Sequence, residues 1–127
     1  MKQILKNLGV IIIGIISGSI VNMIFIVLGS FIFPLSENLE PMNALNWDFK
    51  YFIFPFLAHS LGTFSGSYFA SKLSKSNIIF SVIIGIYFLF GGIYMVKILP
   101  APMWFVCMDL FLSYIPMSLL GWKISSK

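Results

Sequence analysis

The chain has 127 residues, of which 59% are hydrophobic, 17% aromatic and only 9% charged, more apolar surface than a soluble domain of that length can bury. The net charge of +4 comes from eight lysines against four acids, with no arginine, and no polar segment interleaves basic and aromatic residues, which excludes nucleic acid as a partner. The single cysteine, Cys107, excludes an intrachain disulfide, a CxxC redox pair and a thiolate metal cluster, and reads as a packing residue.

In chain order, the first apolar run extends from about Leu8 to Phe33. It follows MKQILKN, a basic start like that of a secretory signal. The run is longer than a cleaved h-region and no small-residue cleavage site closes it early, so the expectation is a retained first span. Further runs cover about Tyr51 to Leu73, Ile78 to Leu99 and Met103 to Trp122. Each reaches the roughly 20 residues that cross ~30 Å of hydrocarbon as a helix. Lipid offers no partner to backbone N–H and C=O groups, so a span must satisfy its own. The expected fold is all-α: a single polytopic membrane domain over residues 1–127, a bundle of four transmembrane helices.

Charge placement predicts the orientation. Lys2 and Lys6, Lys72 and Lys75, and Lys123 and Lys127 fall on one side of such a bundle. The other side carries the loop 34–50, with Glu37, Glu40 and Asp48 against Lys50, and the short PAP turn at 100–102. Lysine excess marks the cytoplasmic face, so both termini are expected there, in a bacterial inner membrane. Trp47, Tyr51 and Trp104 are placed in the outer aromatic belt and Trp122 in the inner one. VIIIGI at 10–15 echoes VIIGIY at 82–87, an internal similarity that would make two parallel helical hairpins.

Packing positions come next. Ala58, Gly62, Gly66 and Ala70 recur every four residues in the second span, and Gly14 and Gly18 share that spacing in the first. Such small-xxx-small stripes let helix backbones approach closely, within one chain or between copies. With only four helices there is little room for a pore, so a second copy or a larger membrane protein is the expected partner besides the bilayer.

The polar residues inside the spans carry the functional reading. His59 is the only histidine; at 100° per residue it shares a face with Pro55, Thr63, Gly66 and Ala70. Asp109 shares one with Ser113, Pro116 and Leu120, Asn22 lies with Gly18, Ser19 and Gly29, and Tyr87, Tyr94 and Lys97 line one side of the third span. Counting ~1.5 Å per residue puts His59 and Asp109 roughly 10 to 13 Å below the outer interface. A carboxylate there costs about 2.5 to 3.5 kcal/mol unless it faces the bundle, so Asp109 is expected to pair with His59 or with Lys97. With His59 the pair would form a proton-exchanging dyad; with Lys97 the histidine would be a hydrogen-bonding residue joined to Asn22 or a carbonyl. Pro116 is expected to kink the fourth span.

No GxSxG, HExxH, Walker or GxGxxG pattern occurs. One histidine and one aspartate make an incomplete zinc shell, so neither a metal nor a cofactor is expected. The segments PFLAHSLGTFSGSYFA and LPAPMWFVCMDLFLSYIPMSLLG resemble those of a group of small, uncharacterised four-span bacterial membrane proteins, a resemblance that covers most of the chain. It implies the same topology and draws attention to His59 and Asp109 without supplying a substrate. Three function classes follow: permeation of a small solute or proton through Asn22, His59, Thr63, Tyr94, Lys97, Asp109 and Ser113; a non-catalytic accessory subunit or assembly factor; and an intramembrane enzyme acting on lipid, the least expected.

Overall fold

The computed structural model describes residues 1–127 and is all-helical. Helix α1 spans Lys2–Ile32, α2 Lys50–Leu73, α3 Ile78–Ile98, α4 Met103–Leu112 and α5 Ile115–Ser125, with a 3-10 turn at Ala44–Asn46 in the connection between α1 and α2. Three stretches, α1, α3 and the joined α4–α5 segment Met103–Ser125, are long and apolar enough to cross a membrane. Helix α2 has 24 residues but carries Ser60, Thr63, Ser65, Ser67 and Ser71, which lower its hydropathy. Those hydroxyls are tolerated because α2 is the central helix, packed against α1, α3, α4 and α5.

Helix ends follow local chemistry. The Phe33 N–H bonds the Gly29 carbonyl and closes α1, and Pro34 cannot continue the ladder. Asn77 caps α3 by accepting from the Ile79 N–H, filling one of the donors a helix start leaves open. Before it, Lys75 and Ser76 adopt left-handed backbone at φ 58° and 65°, and the Trp122 indole N–H holds the turn by donating to the Ser76 carbonyl at 2.9 Å.

The fourth expected span is two helices. Pro116 has no N–H to offer Leu112, and the chain bends through Ser113 and Tyr114 before α5 resumes. Below the bend Pro116 and Leu120 are exposed rather than on the face of Asp109, because the break rotates α5 relative to α4. Cys107 is likewise exposed rather than packed; two residues from buried Asp109, it lies about 200° away around α4.

The packing is inverted relative to a soluble domain. Among buried side chains beyond glycine, nine are hydrophobic and nine polar or charged, while Ile12, Ile16, Ile20, Met23, Phe90 and Phe111 are among the large apolar residues left exposed. Small residues inside and aliphatics outside suit a lipid surround, where close backbone approach and interhelical hydrogen bonds do the joining. Gly14 and Gly18 of α1 face Gly66 and Gly62 of α2: a Cβ on Gly66 would stand 2.6 Å from the Gly14 carbonyl oxygen, and one on Gly18 would stand 2.7 Å from that of Gly62. Ala70 and Ala58 are fully buried on the same helix. The reversed order of these contacts makes α1 and α2 antiparallel, and the small-residue stripes join helices of one chain.

The opposite face of α2 is a serine ladder. Ser60 meets Ser113 at 3.1 Å, Ser67 and Ser81 each donate to the other's carbonyl at 3.3 and 3.1 Å, and Ser125 donates to Ser71 at 2.6 Å. These pairs set the register of α2 with α3 and with α4–α5. Helix α1 touches α2 and α3 only. At the loop end, the Ala44 N–H bonds the Pro100 carbonyl at 2.8 Å, and Ala44, Phe52 and Phe105 form a buried cluster with Trp47, Phe56 and Ala101 around it.

Candidate functional site

The site assembles where α2, α4 and the bend before α5 meet. His59 Nδ1 lies 2.9 Å from both carboxylate oxygens of Asp109. A carboxylate only accepts, so Nδ1 carries the hydrogen and Nε2 is the atom left free. The Ser113 hydroxyl donates to Asp109 Oδ1 at 2.9 Å and the Tyr114 hydroxyl to Oδ2 at 3.2 Å. Ser60 stands 3.1 Å from Ser113; with the Ser113 proton directed at Asp109, Ser60 is the donor. The Tyr114 ring stacks on His59, centroids 5.9 Å apart. Each carboxylate oxygen thus takes two donors, which is how a charge removed from water is held.

Burial is graded across the pair. The Asp109 side chain is 7% exposed and that of His59 23%: the acid is enclosed while the imidazole reaches open space. That space is two cavities that share His59, Gly92 and Met95 in their walls. The deeper one, of about 170 Å³, is lined by Asn22 and Thr63 among others. The one towards the loop end, of about 270 Å³, is bounded by Trp47, Phe52 and Phe105, with Asp109 at its base. His59 is the polar group common to both.

No family model, curated protein or solved structure matches the chain. The chemistry of the site therefore rests on its own geometry. An aspartate that fixes a histidine through Nδ1 holds one tautomer and presents Nε2 as a proton acceptor, the arrangement by which a carboxylate orients an imidazole base. No third histidine, cysteine or acid joins the pair into a metal-binding set.

Of the residues singled out in the sequence, His59, Asp109 and Ser113 meet directly, and Asn22 and Thr63 line the adjoining cavity. Asn22 Oδ1 and Thr63 Oγ1 are buried without a protein partner beside that cavity, two oxygens whose hydrogen-bonding capacity is unfilled. Tyr94 and Lys97 stand apart: both are exposed on the outer face of α3, with Tyr87 beside them, so the partner of Asp109 is His59. Gly92, on the opposite side of α3, is the residue that faces Tyr114.

Tyr114 and Ser60 belong to the network and were not singled out. Tyr114 is five residues after Asp109, about 140° away on an uninterrupted helix, and only the break ahead of Pro116 brings its hydroxyl back to the carboxylate. The signal in the sequence was the proline itself. Ser60, next to His59 in the chain, gave none beyond its place in the serine ladder.

Proposed function

We propose that the protein is a four-span inner-membrane protein with both termini cytoplasmic, in which His59 and Asp109 pass a proton or a small solute between the two cavities. The observation that carries this reading is the position of His59: anchored through Nδ1 to Asp109 and in the walls of both cavities. A neutral imidazole with Nε2 free accepts a proton from one side and releases it to the other, while Asp109 stabilises the imidazolium in between. Asn22 and Thr63 provide the polar lining of the deeper side.

Four spans follow if α2, wrapped by its neighbours and holding its hydroxyls inward, crosses with the three more apolar stretches. The lysines at 2, 6, 72, 75, 123 and 127 then lie on the cytoplasmic side.

The test is proton flux in proteoliposomes with an interior pH dye, under a potassium diffusion potential. The wild type is expected to dissipate an imposed gradient, and His59→Ala and Asp109→Asn to reduce the flux about 10-fold or more. Wild-type vesicles no leakier than protein-free ones would remove this reading.

A second reading is favoured by α1, whose Ile20, Met23, Ile24, Val27 and Phe31 line an open apolar groove on the side away from the bundle. As an accessory subunit or homo-oligomer, the protein would dock a helix of a partner or a second copy there. Crosslinking through a cysteine placed at Ile24 in native membranes separates the two: a discrete adduct supports docking, and none leaves the groove to lipid.

A further inference from the structure

The loop-end cavity carries a chemistry of its own. Its walls are apolar and aromatic: Trp47, Phe52 and Phe105 stand on one side and Met95, Val96 and Leu99 of α3 on the other. Trp47 and Phe52 have ring centroids 5.8 Å apart, and Phe52 and Phe105 4.6 Å. The Trp47 indole N–H is already committed to the Glu40 carbonyl at 3.1 Å, so that ring lines the cavity as an aromatic surface without a free donor. Two ionisable groups, His59 and Asp109, line the cavity.

Charge accounting then limits the guest. With His59 neutral, the network holds one uncompensated negative charge, because Asp109 has no second ion-pair partner and Lys97 points away on α3. The groups that face the pair are Tyr114, Ser113 and Ser60, all hydroxyls, and α1 and α3 contribute only uncharged residues to the two cavities, Asn22 being the one polar side chain among them. Both Asp109 oxygens are already filled by donors from His59, Ser113 and Tyr114. A guest that had to donate a hydrogen bond to Asp109 would have to displace one of them. A cation that needs none, held by Coulomb attraction and by aromatic faces, does not.

Resting on the reading of His59 as a proton carrier, we infer that the loop-end cavity binds a small lipophilic monocation of the quaternary ammonium class, in exchange for the proton on His59. The site holds one positive charge at a time. When the cation enters, His59 gives its Nε2 proton to water and returns to the neutral form; when it leaves, a proton from water takes its place. Net charge in the site is unchanged, so the cation competes with the proton for one site, and the proton pathway stays open when no cation is present.

The experiment uses the full chain in nanodiscs with benzyltrimethylammonium as the probe, titrated calorimetrically between about pH 5.5 and 8.5 in buffers of different ionisation enthalpy, with empty nanodiscs subtracted. The expected result is saturable binding at one site per chain, strengthening by up to about tenfold per pH unit where His59 is protonated, with close to one proton released per cation bound in that range. Asp109→Asn should weaken binding at least tenfold. Val96→Trp, which adds bulk to the α3 wall of the cavity and leaves both charged residues unaltered, should do the same and serves if the asparagine variant does not fold. Absence of saturable binding to the wild type at about 10 mM probe overturns the proposal, as does binding that is independent of pH, releases no proton, or survives both substitutions. Proton flux measured on the same wild-type preparation separates the two readings. Flux without cation binding overturns this inference alone, whereas neither flux nor binding removes the proton-carrier reading with it.

Discussion

Asp109 and Tyr114, five residues apart in sequence, face each other across a helix break, the tyrosine hydroxyl 3.2 Å from Oδ2. The same carboxylate takes Ser113 on Oδ1 and His59 on both oxygens, so the break is what completes its set of donors.

Within that set, the contributions should depend on one another. Tyr114→Phe and Ser113→Ala each remove one donor from a buried carboxylate and are expected to lower stability by about 1 kcal/mol. In the double variant the loss should depart from the sum by at least ~0.5 kcal/mol, since both donors serve one group. Unfolding of the four proteins in mixed micelles checks this; strict additivity would mean that the two hydroxyls act independently.

Pro116→Ala restores the missing N–H and permits a continuous helix from Met103 onward. The expected consequences are stronger hydrogen-exchange protection across residues 113–117 and loss of the Tyr114 contact, with proton flux falling about as far as in Tyr114→Phe. Unchanged protection would show that tertiary contacts, Gly92 against Tyr114 among them, hold the bend without the proline.

Gly66→Ala tests the α1–α2 crossing. The added methyl would stand 2.6 Å from the Gly14 carbonyl oxygen, so the helices must separate, at an expected loss of about 1–3 kcal/mol. Gly9→Ala, with nothing within 4 Å of the new carbon, should be neutral or gain up to ~1 kcal/mol from helix propensity. Thermal unfolding in detergent distinguishes them, and equal behaviour would argue that the crossing is loose.

Topology has a direct check. In a Cys107→Ala background, single cysteines are placed at Ser36, Ser74 and Ser126 and intact cells are treated with a membrane-impermeant maleimide: the one at Ser36 should label, and those at Ser74 and Ser126 only after the membrane is permeabilised. A Ser36 position that shares its side with Ser126 would contradict four spans.

The sequence by itself determined the class of the fold and most helix limits. The apolar runs read at 78–99 and 51–73 are the helices Ile78–Ile98 and Lys50–Leu73, because hydropathy, prolines and caps act within a few residues of where they are read. It also put Asp109 and Ser113 on one helix face and left Asp109 a choice of two partners, His59 or Lys97, since an intramembrane charge has few places to go. What only the tertiary structure decided was which faces meet. The choice of His59 over Lys97 for Asp109 turns on the rotation of α3 about its axis, fixed by Gly85 against Ser118 and Gly92 against Tyr114, contacts between residues at least 20 positions apart that no periodicity within one helix encodes. Tyr114 entered the site for the same reason: the lost bond at Pro116 is local, but the direction in which the freed chain turns is set by the helices packed around it.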